Sequence, residues 1–226
     1  MSRLRLYQLP LSPNNVKVRL ALGFKGLEWE SVEVPFSPGD DSGRAEVLRI
    51  SGQPLVPVLV DGEKVIFDSH AILRYLDANF RDTPRLFAED RPTLQAIEEW
   101  ELWGRTTAPQ PVGILFRAFL EGRAEEVKEQ ARAALGPVIE RLETALQDAD
   151  WLVDGRFSAA EAVIAPWVAH TVLSEEQVAG KDLLRVFREV LDPGPAPRVR
   201  DWVARCMAFD RPNLAPSAGA GSGAER

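Results

Sequence analysis

Apolar and polar positions alternate at the start of the chain. In Arg3-Leu4-Arg5-Leu6-Tyr7, Leu4 and Leu6 face one way, the period-two pattern of a half-buried strand. A helix follows. Ser12 reads as its N-cap and Pro13 as its first residue, Val16, Leu20 and Phe24 share one face, and Gly26 ends it. Trp29 to Val34 predicts a second strand. Residues 36–52, rich in Gly, Asp, Ser and Pro, predict an irregular connection with one helical turn around Ala45–Leu48. Val58-Leu59-Val60 and Val65-Ile66-Phe67 flank Asp61-Gly62, which supplies the positive φ of a tight hairpin turn. Pro57 sits at the mouth of the first of these strands, where a lost ladder donor costs least. The second runs into Asp68-Ser69, two good N-cap residues, followed by Ile72, Leu73, Leu76 and Phe80 at helical spacing.

From Pro84 onward the period-two signal vanishes. Leu94 to Leu120 reads as a long helix interrupted near Pro109 and Pro111. Ala124–Leu135 and Pro137–Leu146 read as two further helices. Ser158-Ala-Ala-Glu161 is a capping box opening a buried helix through Ile164, Trp167, Val168 and Val172. Residues 182–191 and 198–209 predict two more. The segment from Pro212, ending in a Gly/Ala/Ser run, has no means of burying itself and is expected to be disordered.

Two strands joined through a helix imply a parallel pair with a right-handed crossover, and the hairpin adds an antiparallel edge. The expected architecture is a small mixed α/β unit over residues 1–82, an all-α unit over 88–211 and a tail at 212–226. With 226 residues there is enough chain for two modest domains.

Charge and cysteine usage narrow the chemistry. The net charge of −7 comes without a basic stripe, which argues against nucleic-acid binding. No apolar run approaches the ~20 residues of a membrane span, and Met1-Ser2-Arg3-Leu4-Arg5 lacks the apolar core of a signal peptide, so a cytoplasmic location and no membrane partner are expected. The lone Cys206 excludes an intrachain disulfide and a Cys-x-x-Cys site, and sits in a core-like pattern with Val199, Trp202 and Val203. His70 and His170 are the only histidines, so no metal site is expected.

Four motifs then occur in order. Leu-Tyr-x-x-Pro-Leu-Ser-Pro-x-x-x-Lys-Val-Arg-Leu-Ala-Leu spans 6–22, Val56-Pro57-x-Leu59 forms a proline turn, Phe67-Asp68-Ser69-x-x-Ile72 opens a helix, and Gly155-x-x-Ser158-x-Ala160-Glu161 carries the capping box. Together they resemble the soluble glutathione transferases, in a serine-type, bacterial-like form, from residue 4 to about 210. The resemblance implies a thioredoxin-like N-terminal domain, an all-α C-terminal domain, glutathione as co-substrate, a small hydrophobic electrophile as second substrate, and a homodimer with the helices at 69–79 and 94–120 near its twofold axis.

It also implies residue roles. Ser12, at a helix N-terminus where the dipole favours thiolate, would be catalytic and stabilise the glutathione sulfur. Asn14 would assist the sulfur or cap the helix. Val56, before a cis Pro57, would offer backbone groups to the peptide. Ser69 and the free N–H groups at its helix start would take the γ-glutamyl carboxylate, and Asp68 the α-amino group. Tyr7 reads as packing rather than chemistry. Trp100, Trp103, Arg105, Thr106 and Phe116 are plausible wall residues for the second substrate. Two departures stand out: Leu55 occupies the place of an expected polar contact to the glycine end, leaving Arg44, Arg49 or Gln53 to compensate, and Glu161 replaces the usual Asp. The expected activity is conjugation of glutathione to small electrophiles, with glutathione-dependent peroxidase or disulfide reductase chemistry as an extension. The alternative is a non-catalytic binding or regulatory protein on the same fold.

Overall fold

The computed structural model of the chain describes residues 4–36 and 42–211. The tail expected at 212–226 and residues 37–41 of the irregular connection lie outside the described residues. The first unit runs β1 (Leu4–Gln8), α1 (Pro13–Phe24), β2 (Trp29–Glu33), α2 (Ala45–Ser51), β3 (Val58–Asp61), β4 (Lys64–Phe67) and α3 (Ser69–Asn79). The sheet order is β2-β1-β3-β4, with β1 parallel to β2 and antiparallel to β3, and Val58 paired with Phe67 across the hairpin. The connection before the hairpin is more ordered than its composition suggested: α2 has seven residues, anchored by the buried Val47 and closed by Gly52 at φ 75°.

Alternation in β1 separates two cores. Leu4 and Leu6 join Leu59 in the large core shared with α1, α3 and the helical domain, while Tyr7, Val58 and Val60 pack with Val47 on the other face. Tyr7 is buried there, its hydroxyl donating to Glu46 Oε1 at 2.7 Å.

The helical domain comprises α4 (Arg91–Thr106), α5 (Gln110–Leu120), α6 (Lys128–Ala145), α7 (Ala159–Val168), α8 (Glu175–Val178), α9 (Asp182–Val190) and α10 (Pro197–Met207). The proline-rich break between α4 and α5 is where it was expected. The two helices expected at 124–146 are instead one, α6, which continues through Pro137 after a 3-10 turn at Ala124–Val127. Pro137 and Ala133 are both exposed, so the carbonyl that the proline strips of its donor faces water, while Leu135, Val138, Ile139 and Leu142 hold the helix down.

The central helix is α7. Its capping box is formed: Glu161 accepts from the Ser158 N–H at 2.9 Å, from the Ser158 hydroxyl at 2.6 Å and from the Leu152 N–H at 2.6 Å. α7 packs against both α1 and α4. Gly104 makes the second contact possible, because a Cβ there would sit 2.4 Å from Val163 Cγ1.

Candidate active site

A cleft of about 700 Å³ opens where α1, the Val56-Pro57 turn and the start of α3 face α4 and α7. Of the residues singled out in the sequence, Asn14, Val56, Pro57, Asp68 and Ser69 line it, with Gln53, Leu55 and Arg105. Ser12 does not. It is half-buried at the N-cap of α1, its carbonyl accepting from the Asn15 and Val16 N–H groups at 2.9 and 3.0 Å. Its hydroxyl makes no capping bond, so the expected side-chain cap is absent and the hydroxyl is left free to donate elsewhere.

The Val56–Pro57 peptide bond is cis. Val56 precedes β3, and neither its N–H nor its C=O has a backbone partner among the described residues. Two unpaired backbone groups just ahead of β3, where the ladder has not yet begun, are what an extended peptide in the cleft would pair with.

At α3 the N-cap is Asp68, not Ser69. Asp68 Oδ1 accepts from the His70 N–H at 2.9 Å, the Ala71 N–H at 3.1 Å and Arg105 at 3.3 Å. These bonds hold Asp68 at φ 68°, a backbone region that non-glycine residues seldom occupy and that recurs at functional sites. Two of the helix-start donors expected to be free are therefore taken by Asp68. The Ser69 N–H and hydroxyl remain without a protein acceptor among the described residues, at the positive end of the α3 dipole. Asp68 Oδ2 likewise has no protein donor there.

Beneath Asp68, buried His70 lies 3.2 Å from Glu101 Oε1 while Arg74 donates to Glu101 Oε2 at 2.6 Å. Burial, despite the Glu101 contact, pushes the His70 pKa down, so its imidazole is neutral at pH 7. The loop before Ser12 is tied down by Arg19, which donates to the Pro10 carbonyl at 2.9 Å and grips Asp210 through two bonds of 2.7 and 2.8 Å.

None of the three candidates for the glycine end presents a free polar group to the cleft. Arg44 donates to the Pro54 carbonyl at 3.2 Å, and Arg49 is exposed beside Glu46; neither lines the cleft. Gln53 does, but its amide is clipped to Leu55, accepting from the N–H at 2.6 Å and donating to the carbonyl at 2.9 Å. Leu55 itself is 66% exposed. Of the proposed wall residues only Arg105 lines the cleft. Trp100 and Trp103 pack edge-on at 5.3 Å with Arg141 over both rings, and Phe116 lies 6.1 Å from Phe36.

The residue missed in the sequence is Lys17. It is 2% exposed yet lines the cleft, and its ammonium lies 4.9 Å above the Trp167 ring. It stands within the first motif, between Val16 and Val18, where the sequence assigns it no role. α1 is covered on one side by the sheet and on another by α7, so nearly every position from Asn15 to Leu22 is buried.

Comparison with known proteins agrees with this geometry. The chain matches the model for the glutathione S-transferase N-terminal domain over residues 6–84 and that for the C-terminal domain over residues 125–205. It is 29% identical over 168 residues to glutathione S-transferase 3 of Zea mays, covering 72% of this chain and 75% of that one. It is 42% identical over 87 residues to a zeta-class glutathione S-transferase of Euphorbia esula, covering 38% of each. Among solved structures, a glutathione S-transferase from Rhodospirillum rubrum has the same fold, with a TM-score of 0.72 at 21% identity over 96% of this chain and 94% of that one. With the mixed sheet, the cis-proline turn and the capped α7 in place, the chain belongs to the soluble glutathione S-transferase family.

Proposed function

We propose that the protein is a serine-type glutathione transferase that binds glutathione along the sheet side of the cleft, within residues 1–82, and conjugates it to small electrophiles. The observation that carries this reading is the set of uncommitted groups around the Val56-Pro57 turn and the start of α3. They complement glutathione in order: Val56 N–H and C=O for the cysteinyl backbone, Ser69 N–H and hydroxyl for the γ-glutamyl carboxylate, and Asp68 Oδ2 for the α-amino group. Ser12 lies outside the cleft lining but two residues before the cleft-lining Asn14, and its hydroxyl, free of a capping bond, reaches the sulfur from the cleft's edge and stabilises thiolate. The thiolate then attacks the electrophilic carbon. The leaving group departs with the bonding pair, and the thiol proton goes to solvent.

The same bound thiolate would serve peroxide or disulfide reduction, with glutathione rather than the buried Cys206 as the sulfur nucleophile. A homodimer built about α3 and α4 fits the 63% exposure of Leu102 on α4. The exposed Leu55 favours one rival reading, a binding protein on this fold without catalysis. Calorimetry with millimolar glutathione, followed by conjugation of 1-chloro-2,4-dinitrobenzene, separates the two: binding with turnover is expected, and no binding would end the transferase reading. Ser12→Ala should lower kcat at least tenfold and raise the pKa of bound glutathione in a thiolate absorbance titration. An unchanged titration would leave Ser12 with a backbone role only.

A further inference from the structure

We infer that Lys17, with Arg105 and Trp167, forms an anion subsite that selects electrophiles carrying a carboxylate on a flat, conjugated framework. The inference rests on the transferase reading for its chemistry and on Lys17 for its specificity.

Lys17 is a buried cation without a salt-bridge or hydrogen-bond partner among the described residues. Its ammonium has only the face of the Trp167 indole beneath it. Removing an ammonium from water is costly unless an anion meets it. The nearest anionic groups are already engaged: Asp68 with the α3 cap and Arg105, and Glu101 with His70 and Arg74. The residues lining the cleft thus bring two fixed cations, Lys17 and Arg105, against the single carboxylate of Asp68. Burial first, and then the charge of Arg105, lowers the Lys17 pKa to about 8, so the excess positive charge is present at pH 7.

The placement sets this cation against α7, although Asp68 is near enough to act on its charge. Lys17 reaches over α7, toward the helical side of the cleft, whereas Val56, Asp68 and Ser69 lie on the sheet side. The helical side is completed by Gly104, Arg105 and Pro109, which bring no anion of their own among the described residues. A carboxylate entering there would meet Lys17 at depth and Arg105 nearer solvent, and its ring would lie against Trp167. A neutral electrophile would leave the Lys17 charge uncompensated.

The test compares 4-chloro-3-nitrobenzoate with 1-chloro-2,4-dinitrobenzene, each kcat/KM divided by the rate of the uncatalysed reaction with glutathione at the same pH. The expected result is a normalised preference for the benzoate that falls at least tenfold in Lys17→Met, is largely restored in Lys17→Arg, and falls by a smaller factor in Arg105→Gln. An unchanged ratio in Lys17→Met overturns the inference. So does an equal loss on both substrates with weakened glutathione binding, which would assign Lys17 to glutathione. Should neither halide turn over and glutathione not bind, the transferase reading fails separately. The subsite is then judged by calorimetry of 3-nitrobenzoate alone: binding at least tenfold weaker in Lys17→Met sustains it, and equal binding overturns it.

Discussion

A buried cation without a direct ion-pair partner among the described residues should weaken the fold, and Lys17→Met measures by how much. The side chain is 2% exposed, and its pKa falls from 10.5 to about 8. That difference corresponds to a penalty of about 3 kcal/mol on the charged form in the folded protein. Methionine fills a similar volume without the charge but gives up the contact with Trp167, worth roughly 0.5–2 kcal/mol. The variant should therefore be more stable at pH 7 by about 1–3 kcal/mol. For a chain of this size each kcal/mol moves the melting temperature by roughly 2–4 °C. The sign of the pH dependence follows from the same values. Between about pH 8 and 10.5 the unfolded chain still holds the Lys17 proton while the folded protein has released it, so wild-type stability rises with pH across that window. The groups facing Lys17, namely Arg105, Asp68, Glu101 and His70, are present in both proteins; the Lys17 charge helps to lower the His70 pKa, and above pH 7 that imidazole is neutral and adds no titration to the window. Urea unfolding of both proteins at steps from pH 7 to 10.5 should show the advantage of Lys17→Met shrinking toward zero. A less stable variant at pH 7, or an advantage independent of pH, would refute the reasoning. Confirmation would mean that the chain retains a destabilising cation in its cleft, as a binding group would require.

Asp68→Asn should preserve the α3 cap, since an amide oxygen still accepts from His70 and Ala71, and change stability by less than about 1 kcal/mol. Loss of its charge should weaken glutathione binding about tenfold or more, the scale of a charge-assisted bond; calorimetry showing unchanged affinity would remove Asp68 from the site. Asn15→Ala should raise stability by about 1 kcal/mol, because Asn15 is fully buried with neither amide atom partnered among the described residues and alanine is the better helix former. A loss of more than about 1 kcal/mol in urea unfolding would reveal a buried partner such as an ordered water.

The sequence by itself determined what depends on neighbours a few residues away. The Asp61-Gly62 hairpin, the N-terminus of α1 at Ser12 and Pro13, the proline break between α4 and α5, and the Ser158–Glu161 capping box all stand where their local chemistry put them, because turns and caps are made by groups within a few residues of one another. The sequence also carried the motifs whose cleft residues the fold brings together: Asn14, Val56, Pro57, Asp68 and Ser69. What only the tertiary structure decided is how each of those groups is spent. Ser12 makes no side-chain cap, Asp68 rather than Ser69 takes the α3 cap, and Gln53 is consumed by Leu55. Helix α6 runs through Pro137 because the stripped carbonyl faces water. Trp100 and Trp103 turn to each other and to Arg141 rather than to the cleft. Lys17 is the extreme case. Its burial and its contact with an indole face are set by α7 and Trp167, about 150 residues further along the chain, and no pattern of neighbouring residues encodes a contact at that distance.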